Sequence, residues 1–151
     1  MKCLSVSQPY ADLIIRGKKT IELRKWNTKF RGEFLIHAPI KIKSEACKRL
    51  GIDQSSLRTG VIIGKAEIYD VKSYNSSAEV KNDYDKHLAQ MEFSGARYGF
   101  LLKRSQALRI PIPYKGSLGF FDVHIRSTPS ENDLKSELFD EEYRYQWIGK
   151  H

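Results

Sequence analysis

Between Lys19 and Arg31 the chain places five cations, one carboxylate and a large flat ring at spacings that could hold an anion. Lys19, Glu22 and Arg24 lie in the run Gly17-Lys-Lys-Thr-Ile-Glu-Leu-Arg-Lys-Trp26, and Phe30, Arg31 and His37 follow closely. Extended chain alternates sides, so Thr20, Glu22 and Arg24 share one face while Ile21 and Leu23 take the other. Lys19 and Trp26 flank that polar face. An exposed strand whose charges pair loosely would show the same pattern, and such pairs contribute little energy. The mixture of flat rings with Lys and Arg favours a cleft, because rings and guanidinium planes stack on bases while cations neutralise phosphates. Trp26 and Phe30 fit a core equally well.

Charge points the same way. Of a net +8, residues 1–50 carry 12 Lys/Arg against 4 Asp/Glu, a surplus equal to the whole net charge. The last 25 residues, 127–151, carry 3 against 6. A basic first third suits an anionic partner, although a solubilising surface would also be basic. The 151 residues suit one domain, and 40% hydrophobic with 29% charged residues describes a folded globular chain. Runs such as Val61-Ile62-Ile63 are too short to cross a bilayer, so no membrane partner is expected. No signal-peptide core follows Met1, and the two cysteines, Cys3 and Cys47, read as reduced thiols of a cytoplasmic protein. The four His and two Cys have no convergent spacing, so neither metal nor cofactor is expected.

The elements that must position these residues follow from caps and periodicity. Residues 2–6 alternate as a short strand. Ser7 suits an N-cap and Pro9 a first turn, giving a helix over about Gln8–Arg16 that Gly17 ends. Strands are expected at Thr20–Arg24 and Glu33–Ala38, with a polar, aromatic loop between. A short helix from Ser44 to Leu50 stops at Gly51. A long strand runs from Gly60 to Val71, where Gly64 marks a bulge or a close approach. Ser76-x-x-Glu79 is a capping box for a helix to about Met91. Tyr98–Lys103, Leu108–Ile110 and Leu118–Ile125 complete the strands, with Pro111 and Pro113 at an edge or turn. Leu134–Trp147 has the pattern of an amphipathic helix. The whole is an α+β domain of about six strands whose sheet curls into a small barrel.

Several of these segments together resemble the ASCH domain family. Ser7-Gln8-Pro9-Tyr10 with Leu13-Ile14 is similar to its S-x-x-Q-P-(aromatic)-A-x-L-I opening. Gly17-x-Lys19-x-x-Glu22-x-Arg24 matches its G-x-K-x-x-E-x-R signature. Trp26-x-Thr28-x-x-Arg31-Gly32, with Leu35-Ile36-His37-Ala38, resembles its W-x-T-x-x-R-G strand. Gly60–Gly64, Tyr98-Gly99-Phe100, and Pro111–Gly116 with Gly119-Phe120-Phe121 resemble later elements. The resemblance covers about residues 2–125. It implies a PUA-like fold over residues 1–126. The acidic segment 127–151 lies outside the match and is expected, from its own pattern, to be a helical extension packed on the domain.

It also implies a cleft beside the first helix, lined by Lys19, Glu22, Arg24, Trp26 and Arg31, with Lys115 from the closing loop. The implied ligand is nucleic acid, chiefly single-stranded RNA or an exposed base. Where several relatives carry Trp, this chain has Phe100 or Phe121. An alternative from the same resemblance is a small metal-free hydrolase, a ribonuclease or an acylcytidine amidohydrolase, with Lys19 and Glu22 as its catalytic pair. Glu22 stands where the amidohydrolase branch has Thr, so that nucleophile is missing, and Glu67 or Glu92 would have to supply the later acid. Lys19 could act as a general base only if burial lowered its pKa, and the Glu22 carboxylate acts against that. His37 reads as a hydrogen-bonded structural residue at a strand end. Ser5-x-Ser7 shows no partner arrangement for a nucleophile.

Overall fold

Among the described residues, the segments that alternate or carry caps become elements of one curled sheet and its small helices. The computed structural model describes residues 1–90 and 95–124. In chain order these are β1 (Lys2–Ser5), α1 (Tyr10–Ile15), β2 (Ile21–Arg24), β3 (Gly32–Ala38), α2 (Ser44–Leu50), a 3-10 turn (Gln54–Ser56), β4 (Val61–Ser73), α3 (Ser77–Asn82), α4 (Tyr84–His87), β5 (Tyr98–Pro113) and β6 (Phe120–Asp122). The sheet order is β2-β5-β4-β3-β1-β6. Among the described residues only β1 and β3 run parallel, with Ser5 opposite His37, and the other neighbours are antiparallel. The expected α+β half-barrel of six strands is present.

The sheet has two apolar faces. Alternation sends Leu4, Phe34, Ile36, Ile63 and Ala107 into the main core with α1, and Cys3, Leu35, Ile62 and Leu108 into a smaller core on the other side. Irregularities between Ile62 and Gly64, and at two further points along β4 and β5, bend both long strands. Arg104 adopts a left-handed backbone (φ +53°) in the second of these bends. Gly64 is both bulge and close approach. A Cβ there would meet the Gln106 carbonyl oxygen at 2.4 Å and Ile15 Cδ1 at 2.5 Å, so α1 could not lie this near the sheet.

Curling brings the two sheet edges together, and aromatic rings fill the seam. Phe120 of edge strand β6 meets Phe100 of β5 at 6.3 Å, and Trp26, just after the other edge strand, packs edge-on to both at 5.3 and 5.8 Å. Phe30 and Phe34 complete the cluster around Phe120. Such ring pairs each add roughly 0.5–1.5 kcal/mol beyond area burial.

Four elements differ from the sequence reading. The first helix is shorter, because Ser7 caps with its carbonyl, accepting from Tyr10 and Ala11, and not with its hydroxyl. The capping box forms at Ser76, whose hydroxyl accepts from the Glu79 amide, but the helix breaks at Asp83 and ends at Leu88 in a left-handed turn. Asp83 is drawn away by Lys72 and Tyr74, each donating at 2.7 Å. Tyr98 to Pro113 is one strand and not two. Pro111 and Pro113 are accommodated because β2 covers only Tyr98–Leu101, leaving one side of the later strand unpaired. β6 is the core of the expected Leu118–Ile125 strand. Met91, Glu92, Ile125 and the expected extension 127–151 lie outside the described residues.

Gly64→Ala is expected to destabilise the fold by about 2–3 kcal/mol, because backbone atoms cannot move aside cheaply. Urea denaturation measures it; an unchanged midpoint would mean that α1 does not sit as described.

Candidate functional site

The polar face of β2 does form one side of a cleft, but its three charges play unlike parts. Glu22 has 2% of its surface exposed and Lys19 only 1%. Lys19 is held where α1 ends. Gly17 takes a left-handed turn (φ +77°), and the next two amides donate back to the Leu13 carbonyl. The Lys19 ammonium donates to the carbonyls of Ile21 at 2.7 Å and His87 at 2.6 Å, stands 3.3 Å from Glu22 Oε1, and faces the Tyr10 ring at 5.1 Å. Lys19, expected to line the cleft, is instead the centre of a buried clamp joining α1, β2 and α4. Lys18, one residue earlier, is exposed.

Arg24 is the link between that clamp and the surface. Its Nε and Nη2 donate to Glu22 Oε2 at 3.0 and 2.8 Å, and Nη2 also donates to the Ser5 carbonyl at 2.8 Å. Arg24 thus fastens edge strand β2 to β1, across the seam of the curled sheet. Its guanidinium carbon lies 5.9 Å from the Trp26 ring centre, and its side chain remains one-fifth exposed. Glu22 Oε1 has no hydrogen-bond donor among the described residues and faces only the Lys19 charge.

Below the clamp, the His87 ring accepts from the Ala89 amide at Nδ1, so Nε2 carries the proton and donates to the Val80 carbonyl at 2.6 Å. Burial pushes the His87 pKa below its ordinary value, and the Lys19 charge adds to this. With the folded pKa lowered, the unfolded chain binds the proton more readily. This contribution to stability is full above the unfolded pKa and is lost as pH falls through the folded one.

A cleft of about 300 Å³ opens over this layer, between β1, the start of α1, β2 and the loop before α2. Glu22 and Arg24 line it with Trp26, Tyr10, Ser5 and two exposed lysines, Lys25 and Lys43. Neither lysine was picked out by the sequence: Lys25 reads as loop, and Lys43 precedes a helix some twenty residues away. Lys43 is brought in because its amide donates to the Gln8 carbonyl at 2.8 Å. Trp26 is both seam and cleft wall, which joins the two readings left open for it.

Three residues expected in the cleft lie outside its lining: Lys19, buried in the clamp, and two that lie elsewhere. Arg31 donates to the carbonyls of Thr28 and Phe30 and stands 3.6 Å from Asp70, so it braces its own loop. Lys115 lines a second cavity, of about 500 Å³, on the far side of Ser5. Phe100 is fully buried in the seam. Ser5 lines both cavities, and its hydroxyl lies 2.9 Å from His37 Nδ1, a partner that the spacing of Ser5 and Ser7 could not reveal. Among the described residues no group of three or more His, Cys, Asp or Glu could share a metal ion, and no helix is long and apolar enough to cross a membrane.

Comparison with known proteins gives a consistent relationship. The ASCH domain family model matches residues 4–148, beyond the 2–125 that the motifs span. Activating signal cointegrator 1 of Homo sapiens is 31% identical over 127 residues, covering 76% of this chain, and its Mus musculus counterpart is 30% identical. The chain spans only about a fifth of those relatives, 21% of their length. The crystal structure of ASCH from Zymomonas mobilis superposes with a TM-score of 0.64 at 16% identity, covering 91% of this chain and 94% of that one. At that identity the match speaks for the fold, which is the PUA-like half-barrel.

Glu22→Gln should cost about 3–5 kcal/mol, because it leaves the buried Lys19 without its counter-charge. Partly exposed charges would have cost about 1 kcal/mol or less; burial changes that expectation. Lys18→Ala should stay within about 0.5 kcal/mol. Urea titrations of the two variants side by side decide it, and equal small losses would contradict the buried clamp.

Proposed function

Since this chain belongs to the ASCH domain family, we propose that the cleft beside α1 binds single-stranded nucleic acid, RNA foremost, without catalysis. The observation that carries this reading is the pairing of a fixed cationic floor with mobile cations at the rim. Arg24 is held by Glu22 and the Ser5 carbonyl, while Lys25 and Lys43 are exposed and free to follow a backbone. A point charge on a flexible stem suits phosphate, and a guanidinium fixed in a fork suits a defined acceptor. Trp26 adds a ring wall against which an unstacked base can lie. The basic surplus of residues 1–50 supports an anionic ligand in the same place.

In this reading Lys19 and Glu22 are positioning residues. They set the direction of Arg24 and the height of the cleft floor, and they do not touch the ligand. Arg31 and Lys115 stand outside the cleft and contribute at most to the wider field. The metal-free hydrolase alternative, with Lys19 as base, has less support. A general base must present a lone pair to its substrate, and the Lys19 donors are directed at two carbonyls and a carboxylate in a buried site.

Arg24, Lys25 and Lys43 offer contacts to about three phosphates, so log affinity should fall against log salt with a slope near −2, at roughly −0.7 per contact. Lys25→Ala and Lys43→Ala should each flatten that slope by about 0.7, while Lys18→Ala leaves it unchanged. Fluorescence anisotropy with a labelled 12-nucleotide single-stranded RNA at several salt concentrations measures all four proteins. Equal flattening by Lys18→Ala would mean a diffuse basic surface, and the cleft reading would fall.

A further inference from the structure

The second cavity contains a side-chain arrangement that nucleic-acid binding does not use. Parallel pairing of β1 with β3 sets Ser5 opposite His37. The Ser5 hydroxyl lies 2.9 Å from His37 Nδ1, and His37 Nε2 lies 2.7 Å from the Tyr114 carbonyl oxygen. A carbonyl can only accept, so Nε2 carries the proton and Nδ1 presents its lone pair to the serine. The ring is 2% exposed and fixed at both nitrogens, whereas Ser5 is half-buried and opens on both cavities. A hydroxyl, a base within hydrogen-bond reach and a third group orienting that base are the parts of an activated nucleophile.

The hydroxyl is reached through the cavities that Ser5 lines. Gly116 packs against the pair so closely that a Cβ would lie 2.6 Å from Ser5 Oγ and 2.7 Å from the His37 ring, so the loop holds both side chains in place only because this residue is glycine. At the cavity mouth Ile40 and Leu118 are 79% and 96% exposed, two large apolar groups in water, and Lys115 lines the same cavity.

We propose that Ser5 is a nucleophile, with His37 its general base, for a carboxylic ester that enters the Ile40–Leu118 cavity. The acyl chain would lie on Ile40 and Leu118, and an anionic group on the alcohol portion would face Lys115. Ser5 Oγ attacks the ester carbonyl carbon while its proton passes to His37 Nδ1. The tetrahedral intermediate collapses, the alkoxide leaves with that proton, and the acyl group remains on Ser5. A water then gives its proton to Nδ1 and attacks the acyl carbon, releasing the acid and restoring the serine. No redox partner is needed. This does not depend on the cleft reading, because it uses the other cavity and neither Lys25 nor Lys43.

An alkyl fluorophosphonate tests it on the intact chain, by intact mass and peptide mapping. One adduct, on Ser5, is expected, with none on Ser5→Ala. His37→Gln should slow labelling by about 100-fold or more, the usual scale of a general base. Leu118→Asp, a change at a side chain almost wholly in water, should slow it several-fold without disturbing the fold, which near-UV circular dichroism follows. Failure of the wild-type chain to label at Ser5 would overturn the proposal whatever the variants do, and so would labelling indifferent to His37→Gln in a folded variant.

Discussion

Taking a carboxylate out of water costs several kcal/mol unless cations or hydrogen-bond donors replace the water. At Glu22 two cations do so, Lys19 at 3.3 Å on one oxygen and Arg24 at 2.8 and 3.0 Å on the other. Much of the local architecture follows from that arrangement. Lys19 must come from the end of α1, so Gly17 turns sharply there. Its two carbonyl acceptors belong to β2 and to the end of α4, so the clamp also fixes a helix from the middle of the chain. Arg24, with one side satisfied by Glu22, uses the rest of its fork on the Ser5 carbonyl and so holds the curled sheet together at its seam.

The seam is where stability and surface chemistry meet. Rings from both edges pack against Phe120, and the outermost of them, Trp26, turns its remaining face to the cleft. The proposed binding groups therefore stand on a floor that cannot shift without opening the sheet. Preorganisation of this kind reduces what ligand binding must spend on ordering side chains. The exposed charge at the rim is left to Lys25 and Lys43.

Local signals in the sequence made much of this legible. Gly51 ended α2 where expected, Gly64 proved to be both bulge and contact, and the β2 alternation put Glu22 beside Arg24. The burial of Glu22 was not legible, because a two-residue period says which residues share a face and not whether another layer covers it. Here α1 and α4 supply that layer. Lys43 and the Ser5–His37 pair were hidden for a different reason. Each depends on contacts far apart in sequence, a Gln8–Lys43 hydrogen bond and a parallel strand register, that no local pattern encodes. Pro111 misled in the opposite sense, reading as an end when the strand merely lacked a partner on one side.

The central claim is that Lys19 belongs to the framework and Lys25 and Lys43 to the interface. Lysine side-chain nitrogen NMR during titration with single-stranded RNA tests it directly, since each ammonium reports its own surroundings. The account predicts a Lys19 signal protected from water exchange and unmoved at saturation, with the Lys25 and Lys43 signals shifting together. A Lys19 signal that exchanges freely with water, or shifts as far as that of Lys43, would contradict it.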